Sequence, residues 1–317
     1  MKILVLPAKR HFSIDEIKNF SGLWQHYLIR EFQKAGHEVI CEQGADVRWP
    51  KQDIVAHWEK VARRMHGAGI DHALGFSRHF SRIPAVCADI MRKAVSGCVA
   101  QVHDCPLASH STDVTFSIAH PGKFQEGHHH IGWAADDVLL TPKQSREELR
   151  ILIDHPLYHE GMDTTASITD QALAYVESGA WRGVGFKMAT VRRLCDGGVM
   201  TVERGGKPPA FNREHIPFKE LLPEYNVSHL FLPTHRESLG LTVLETAMAG
   251  ALPVCAEGYI RPDLLSSIRA LTYKGPTVPW DEAVRAFDAK ASRAAAIKNN
   301  WTAVAGRILK YFEGFKR

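Results

Sequence analysis

Short apolar runs alternate along this chain with stretches whose apolar residues recur at helical spacing, a rhythm that predicts a parallel α/β protein. The run KILVLPA at 2–8 predicts a buried strand, and LWQHYLIREFQKAG at 23–36 predicts an amphipathic helix that ends at Gly36. Further apolar runs in the first half predict strands at HEVIC (37–41), IDHALGF (70–76), CVAQVHD (98–104) and DDVLLTP (136–142).

The second half of the chain shows the same alternation of apolar runs and helical stretches, broken by residues 154–170. SREELRILI (145–153) predicts a helix, and residues 154–170, rich in Thr, Ser and turn-forming residues, predict a linker. ALAYVES (172–178) and HLFLPT (229–234) predict strands, and NNWTAVAGRILKYFEGF (299–315) predicts an amphipathic terminal helix. Two alternating halves predict a pair of Rossmann-like domains, and 317 residues are enough for both.

Composition narrows the class of protein only slightly. No apolar stretch reaches the ~18 residues of a membrane span, and the basic residues that follow the first apolar run argue against a signal peptide. Six scattered cysteines without a CxxC pair are typical of free thiols in a reducing cytoplasm, so we expect a cytoplasmic protein. A net charge of +4 favours an anionic partner without identifying it.

The stretch HRESLGLTVLETAMAG at 235–250 carries the most specific chemistry. It follows a predicted strand whose carboxyl end opens at Thr234, and ligands of open α/β sheets bind at such ends. A helix beginning near Ser238–Gly240 would point its free amides and positive dipole end at a diphosphate. Glu245 could then accept the hydroxyls of a ribose, and Glu237 those of a sugar. An acid, a diphosphate-binding helix end and a second acid thus follow one another along the chain. This order matches the sugar, diphosphate and ribose of a nucleotide-sugar, and it predicts a site for such a molecule.

The surrounding segment, HLFLPTHRESLGLTVLETAMAGALPVCA, resembles the donor site of retaining GT-B glycosyltransferases of the family 4 type. Those enzymes have a strand ending in Pro-Ser, two glutamates eight residues apart around a glycine turn, and Ala-x-Gly-x-Pro. The matching residues here are Pro233, Thr234, Glu237, Gly240, Glu245, Gly250 and Pro253. Thr234 replaces the usual Ser, and Ser238-Leu239 replaces Gly-Phe, but neither change removes the chemistry.

The resemblance implies the GT-B fold, an α/β architecture in which two Rossmann-like domains face a central cleft. The acceptor domain would comprise residues 1–155 with the terminal helix at 300–317, and the donor domain residues 156–299. The donor-binding residues it implies are Gly22, Thr234, Ser238, Leu239, Gly240, Leu241 and Glu245.

Four catalytic residues follow from the same resemblance: His103, Arg182, Lys187 and Glu237. His103 would face the transferred sugar, although His120 competes for this role. Arg182 and Lys187 would neutralise the departing diphosphate, as preorganised cations do. No essential metal is expected, because these protein cations would neutralise the diphosphate, and no cofactor is expected beyond the nucleotide-sugar co-substrate. The three adjacent histidines at 128–130 would point in different directions and so do not predict a metal site.

The expected donor is a UDP- or GDP-linked sugar. For the acceptor we favour hydroxymethylated pyrimidine bases in DNA, because some phage-type enzymes of this fold glycosylate them and residues 57–93 hold seven Lys or Arg against three acidic residues. A cell-surface or lipid-linked glycan is the alternative acceptor. A nucleotide-sugar epimerase, with Glu237, His103 and His235 as acid and base, and a non-catalytic binding protein remain alternative functions.

Overall fold

The computed structural model describes residues 1–6, 20–45, 49–76, 84–103, 112–118, 127–145, 147–154, 159–183, 185–192, 201–204, 218–235 and 240–316. The chain divides into two compact units: unit 1 is Met1–Gly132 with Trp301–Arg317, and unit 2 is Trp133–Asn300. Across the described ranges, none of the helices combines the length and apolar character needed to cross a membrane.

Unit 1 is built on a parallel sheet of six strands in its described part, in the order β2-β1-β3-β4-β5-β6. The strands are β1 (Lys2–Leu6), β2 (Glu38–Cys41), β3 (His72–Phe76), β4 (Val99–His103), β5 (Val114–Ser117) and β6 (His128–His130). The helices are α1 (Phe20–Lys34), α2 (Lys51–Met65), α3 (Pro84–Arg92) and, from the far end of the chain, α10 (Trp301–Gly314). After Lys2, the residues of β1 are all apolar and buried, because a central parallel strand is covered on both faces.

The terminal helix α10 belongs to unit 1 through an aromatic core. The Trp301 ring stacks on Tyr27 of α1 at 4.7 Å between centroids and meets Trp24 edge-on at 4.6 Å. Further along α10, Phe312 stacks on His72 of β3 at 4.4 Å. Apolar residues at helical spacing thus bury one face of α10 against both the sheet and α1.

Unit 2 has a second sheet of six strands in its described part, in the order β12-β11-β10-β7-β8-β9, with only β9 antiparallel to its neighbour. The strands are β7 (Glu148–Asp154), β8 (Gly185–Arg192), β9 (Thr201–Arg204), β10 (Leu230–Leu232), β11 (Leu252–Ala256) and β12 (Leu271–Tyr273). The helices are α4 (His159–Glu177), α5 (Phe218–Val227), α6 (Leu241–Met248), α7 (Pro262–Leu265), α8 (Trp280–Ala286) and α9 (Ala289–Ala296).

All eight residues of α6 are buried, as expected for a helix covered on every side. Arg293 of α9 connects the carboxyl end of α6 to residues 137–140, which precede β7. The guanidinium donates to the carbonyl of Met248 at 2.8 Å, to that of Asp137 at 2.5 Å, and to that of Leu140. The bond to Met248 satisfies a carbonyl that the carboxyl end of α6 leaves without a partner inside the helix.

Four expectations about elements are wrong. Residues 136–142 contain a turn and no strand, and the helix expected at 145–153 is replaced by strand β7. Residues 159–177 form the helix α4, which replaces most of the expected linker and the strand expected at 172–178. Ile151 and Ile153 favour a strand because they are β-branched, and both are buried in the centre of the sheet.

The division between the units falls at 132/133, whereas the sequence places the domain boundary at 155/156. Strand β7 explains the position, because it pairs in parallel with β10 on one side and β8 on the other. Residues 148–154 are therefore a central strand of unit 2.

Candidate functional site

The carboxyl ends of β7 and β10 bring Asp154 and Thr234 together at one edge of the second sheet. The strands are parallel, with Leu232 opposite Ile153, so both chains leave the sheet at this edge. The Thr234 hydroxyl is buried and donates to the backbone carbonyl of Asp154 at 2.6 Å. Because α6 follows β10 and precedes the parallel strand β11, its amino end also lies on this side. We call this edge the donor edge.

Gly240 is the residue that begins α6, and its backbone is left-handed at φ 67°. A Cβ at this position would come within 2.4 Å of Cδ2 of Leu264, a buried residue of α7. Packing and backbone conformation therefore both require glycine here. The sequence suggests a different reason, the close approach of an anion, and Gly240 would be needed even without that ligand.

Glu245 lies one turn into α6 and is only 4% exposed. Its carboxylate is therefore held inside the unit and does not project into bulk solvent. Leu241, the first helical residue, is also buried. The other predicted residues of this segment, Glu237, Ser238 and Leu239, lie outside the described residues.

The donor edge also carries two neighbouring groups, Asp154 and His235. The Asp154 side chain is 6% exposed, and its Oδ2 lies 3.9 Å from Nδ1 of His235, whose side chain is 35% exposed. Sequence reasoning missed Asp154 because it falls in the segment interpreted as a linker. Only the pairing of β7 with β10 places the carboxylate beside the residue that follows Thr234.

Arg182 and Lys187, the two cations expected at the diphosphate, lie elsewhere in unit 2. Lys187 is the third residue of β8 and pairs with Arg150 near the start of β7, and Arg182 precedes the strand and is exposed. Lys187 Nζ contacts Oε1 of Glu148 at 2.9 Å. Hydrogen bonds from Lys187 and Arg150 lower the pKa of the Glu148 carboxyl, and desolvation partly opposes them. The structure therefore does not bring this pair to the donor edge.

A cavity of about 650 Å³ lies among the first residues of β7 and the chain preceding β8 and β10, on the opposite side of unit 2 from the donor edge. Its wall includes Leu149, Trp181, His229 and Phe287. Of the predicted donor-binding residues that the structure describes, none lines it.

In unit 1, polar residues align across the carboxyl ends of three strands. His103 of β4 pairs with Ser117 of β5, which pairs with His130 of β6. Ser117 is fully buried, and His130 Nε2 lies 3.0 Å from the carbonyl oxygen of Ile118. His103 is partly exposed at the end of its strand. Ser117 was not predicted, and the signal that could have found it is its position as the last residue of an alternating strand.

The remaining predicted residue of unit 1, Gly22, lies in the first turn of α1. His120, the competitor of His103, lies outside the described residues. Within the described ranges, no three His, Cys, Asp or Glu side chains are grouped so that they could hold a metal ion.

Comparisons with known proteins give similarity in fold. No protein-family model and no curated protein matches the sequence. Among solved structures, a UDP-forming α,α-trehalose-phosphate synthase from Burkholderia vietnamiensis is 8% identical, with a TM-score of 0.58 over 99% of this chain and 97% of that one. Sucrose-phosphate synthase from Thermosynechococcus elongatus is 10% identical, with a TM-score of 0.55 over 98% of each chain.

A third solved structure has a different activity. The UDP-GlcNAc 2-epimerase from Methanocaldococcus jannaschii is 10% identical, with a TM-score of 0.52 over 99% of each chain. Similarity that covers nearly the whole chain at such low identity concerns the fold alone. Together with the two sheets described above, these matches show that the chain has the GT-B fold.

Proposed function

We propose that this protein is a retaining glycosyltransferase that uses a nucleotide-sugar donor. The observation that carries the proposal is the donor edge, where the amino end of α6 follows Gly240 and the carboxylate of Glu245 is buried one turn into the helix. The described residues of the motif, Thr234, Gly240 and Glu245, support the proposal because they lie at the end of the sheet where open α/β sheets bind ligands. Solved structures of the same fold include enzymes whose names specify UDP.

In this proposal the amides of α6 hold the donor diphosphate, Glu245 accepts hydrogen bonds from the ribose hydroxyls, and Glu237 holds the transferred sugar. The acceptor hydroxyl attacks the anomeric carbon from the face that the diphosphate leaves. The bond from that carbon to the phosphate oxygen breaks, a bond to the acceptor oxygen forms, and the hydroxyl proton passes to the phosphate.

The test is to incubate the protein with UDP- and GDP-sugars and to measure the release of nucleoside diphosphate with and without acceptors. Glu245→Gln keeps the size of the side chain but replaces a carboxylate oxygen by an amide. We expect turnover at a limiting donor concentration to fall about 10- to 100-fold, because the amide cannot accept charge-assisted hydrogen bonds from both ribose hydroxyls. Glu177→Gln, at the exposed end of α4, is the matched control. Equal turnover in the two variants would refute the role of Glu245.

The acceptor that we propose first is DNA with hydroxymethylated pyrimidines. Its support is the basic segment 57–93, where Lys60 and Arg63 of α2 are exposed, although Arg64 is paired with Glu42 at 2.7 Å. Transfer to duplex DNA containing 5-hydroxymethylcytosine, but not to unmodified duplex, is expected. The affinity for DNA should fall as salt rises. Transfer to lipid-linked glycans alone would identify the alternative acceptor.

An epimerase is a second candidate, because an epimerase of this fold matches the chain about as well as the transferases do. The two functions differ in whether an acceptor is required. An isomerised nucleotide-sugar formed without an acceptor would identify the epimerase, whereas acceptor-dependent release of nucleoside diphosphate would identify the transferase.

A further inference from the structure

A departing diphosphate requires hydrogen-bond donors or positive charge close to it, and the two cations that the sequence suggests for this task do not lie at the donor edge. Arg182 and Lys187 stand before and near the start of β8, whereas the donor edge is formed by the carboxyl ends of β7 and β10. The parallel register puts Lys187 beside Arg150, four residues before Asp154. At ~3.3 Å per strand residue, that separation is roughly 13 Å along the sheet.

His235 lies where these cations were expected. It follows the end of β10, and five residues later the chain reaches Gly240 and the amides of α6. The hydrogen bond from Thr234 to the carbonyl of Asp154 fixes the backbone just before His235 to the end of β7. The imidazole is thus attached to a rigid part of the sheet at the donor edge.

The carboxylate of Asp154 gives the ring a defined neighbour. At 3.9 Å, the separation of Asp154 Oδ2 from His235 Nδ1 is longer than a hydrogen bond but close enough for an electrostatic contact. Asp154 is almost completely buried, whereas about a third of the His235 side chain is accessible. A buried acid behind a partly exposed histidine resembles the arrangement in which a carboxylate orients an imidazole that acts through its other nitrogen.

We propose that His235 is a further catalytic residue, whose protonated ring donates Nε2–H to the departing diphosphate while Nδ1–H faces the carboxylate of Asp154. Asp154 is then a positioning residue that acts through His235. The proposal rests on the proposed function, because it requires a nucleotide-sugar at the donor edge. The transfer reaction itself is unchanged: the acceptor proton still passes to the phosphate, and His235 keeps its own proton.

The experiment measures the binding of UDP and GDP by calorimetry, and turnover with the donor that the sugar panel identifies. His235→Leu removes both ring nitrogens, and His235→Gln retains one amide donor. We expect His235→Leu to weaken binding of the nucleoside diphosphate about tenfold and to lower kcat by about 100-fold. The reason is the loss of the charge-assisted hydrogen bond from Nε2–H to the diphosphate. His235→Gln should recover part of both losses. The control is Lys298→Gln, which removes an exposed positive charge from the turn after α9.

Asp154→Asn tests the positioning role through a change that a purely structural residue would not produce. We expect kcat to fall roughly 10-fold, as for a lost orienting partner, while KM and the Kd for UDP change less than about threefold. The phosphorus NMR signal of bound UDP should shift in His235→Leu and stay in place in Lys298→Gln. Circular dichroism checks that each variant is folded, and His235→Gln provides the test if the leucine variant is not.

The results separate the two proposals. If the wild-type protein binds UDP or GDP and transfers sugar, but both His235 variants match Lys298→Gln, the role of His235 is refuted and the glycosyltransferase stands. If the wild-type protein neither binds these nucleotides nor releases them from any donor, the proposed function fails and the role of His235 fails with it.

Discussion

Replacing Gly240 by alanine tests the packing at the start of α6. The added Cβ would lie 2.4 Å from Cδ2 of Leu264, and the backbone there has φ 67°. A left-handed backbone costs an L-residue roughly 1–2 kcal/mol, and forcing a methyl group into a packed site typically costs about 1–3 kcal/mol. Gly240→Ala should therefore lower the free energy of unfolding of unit 2 by roughly 2–5 kcal/mol.

Gly258→Ala separates the two contributions. Gly258 has a similar φ of 84°, but a Cβ there would have no atom within 4 Å. We expect this control to cost only the backbone part, about 1–2 kcal/mol. The assay is urea-induced unfolding of both variants, followed by circular dichroism.

Leu264→Ala removes the methyl group that the new Cβ would meet. In this background the excess cost of Gly240→Ala over Gly258→Ala should disappear, a coupling of about 1–3 kcal/mol in a double-mutant cycle. Equal costs for the two glycine variants, or an excess that persists without the Leu264 side chain, would refute the packing argument. A loss of turnover in Gly240→Ala is consequently no proof that an anion approaches this backbone.

Three further predictions concern other parts of the structure. Arg293→Met should lower the free energy of unfolding by about 2–4 kcal/mol in chemical denaturation, because the carbonyls of Asp137, Leu140 and Met248 lose a charged donor. A loss below about 0.5 kcal/mol would contradict this prediction. Burial raises the pKa of the Cys255 thiol to about 12. At pH 8, iodoacetamide should therefore label the exposed Cys41 well before Cys255, as peptide mass spectrometry can show. Labelling in the reverse order would contradict the burial of Cys255. Burial, with a smaller contribution from Arg150, lowers the pKa of His229 below its ordinary value of 6.5. The stability that the neutral His229 contributes should therefore be complete above pH 6.5. It should decline as the pH falls from 6.5 through the lowered pKa. Urea titrations between pH 5 and 7 should show this slope in the wild-type protein and a smaller one in His229→Asn.

Elements with one unambiguous pattern could be predicted from the sequence, whereas short apolar runs could not. The helix expected at 23–36 is α1, and the one expected at 299–315 is α10, because each is long enough to show a helical repeat. Residues 148–154 and 172–178 were assigned to the wrong class, since a run of about seven apolar and polar residues fits either a strand or part of a helix. Partners on adjacent strands decide such cases, and they lie far away in sequence.

The candidate site divides in the same way. Thr234, Gly240 and Glu245 belong to one local segment, so their spacing was visible in the sequence. Asp154 comes from another strand, 80 residues before Thr234, and only the pairing of β7 with β10 brings the two together. The position of Lys187 could not be predicted for the same reason. Its positive charge and its spacing from Arg182 suit a diphosphate, but Lys187 lies near the start of β8, away from the carboxyl ends of the strands that form the donor edge.

The position of α10 has a consequence for synthesis of the chain on the ribosome. Trp301 and Phe312 cover Tyr27 and His72, so the aromatic surface of α1 and β3 stays uncovered until α10, far along the chain, leaves the ribosome. Unit 1 therefore cannot finish folding in the order of translation, whereas unit 2 has all its residues available before then. Nascent chains that stall before residue 301 should be the ones that recruit chaperones.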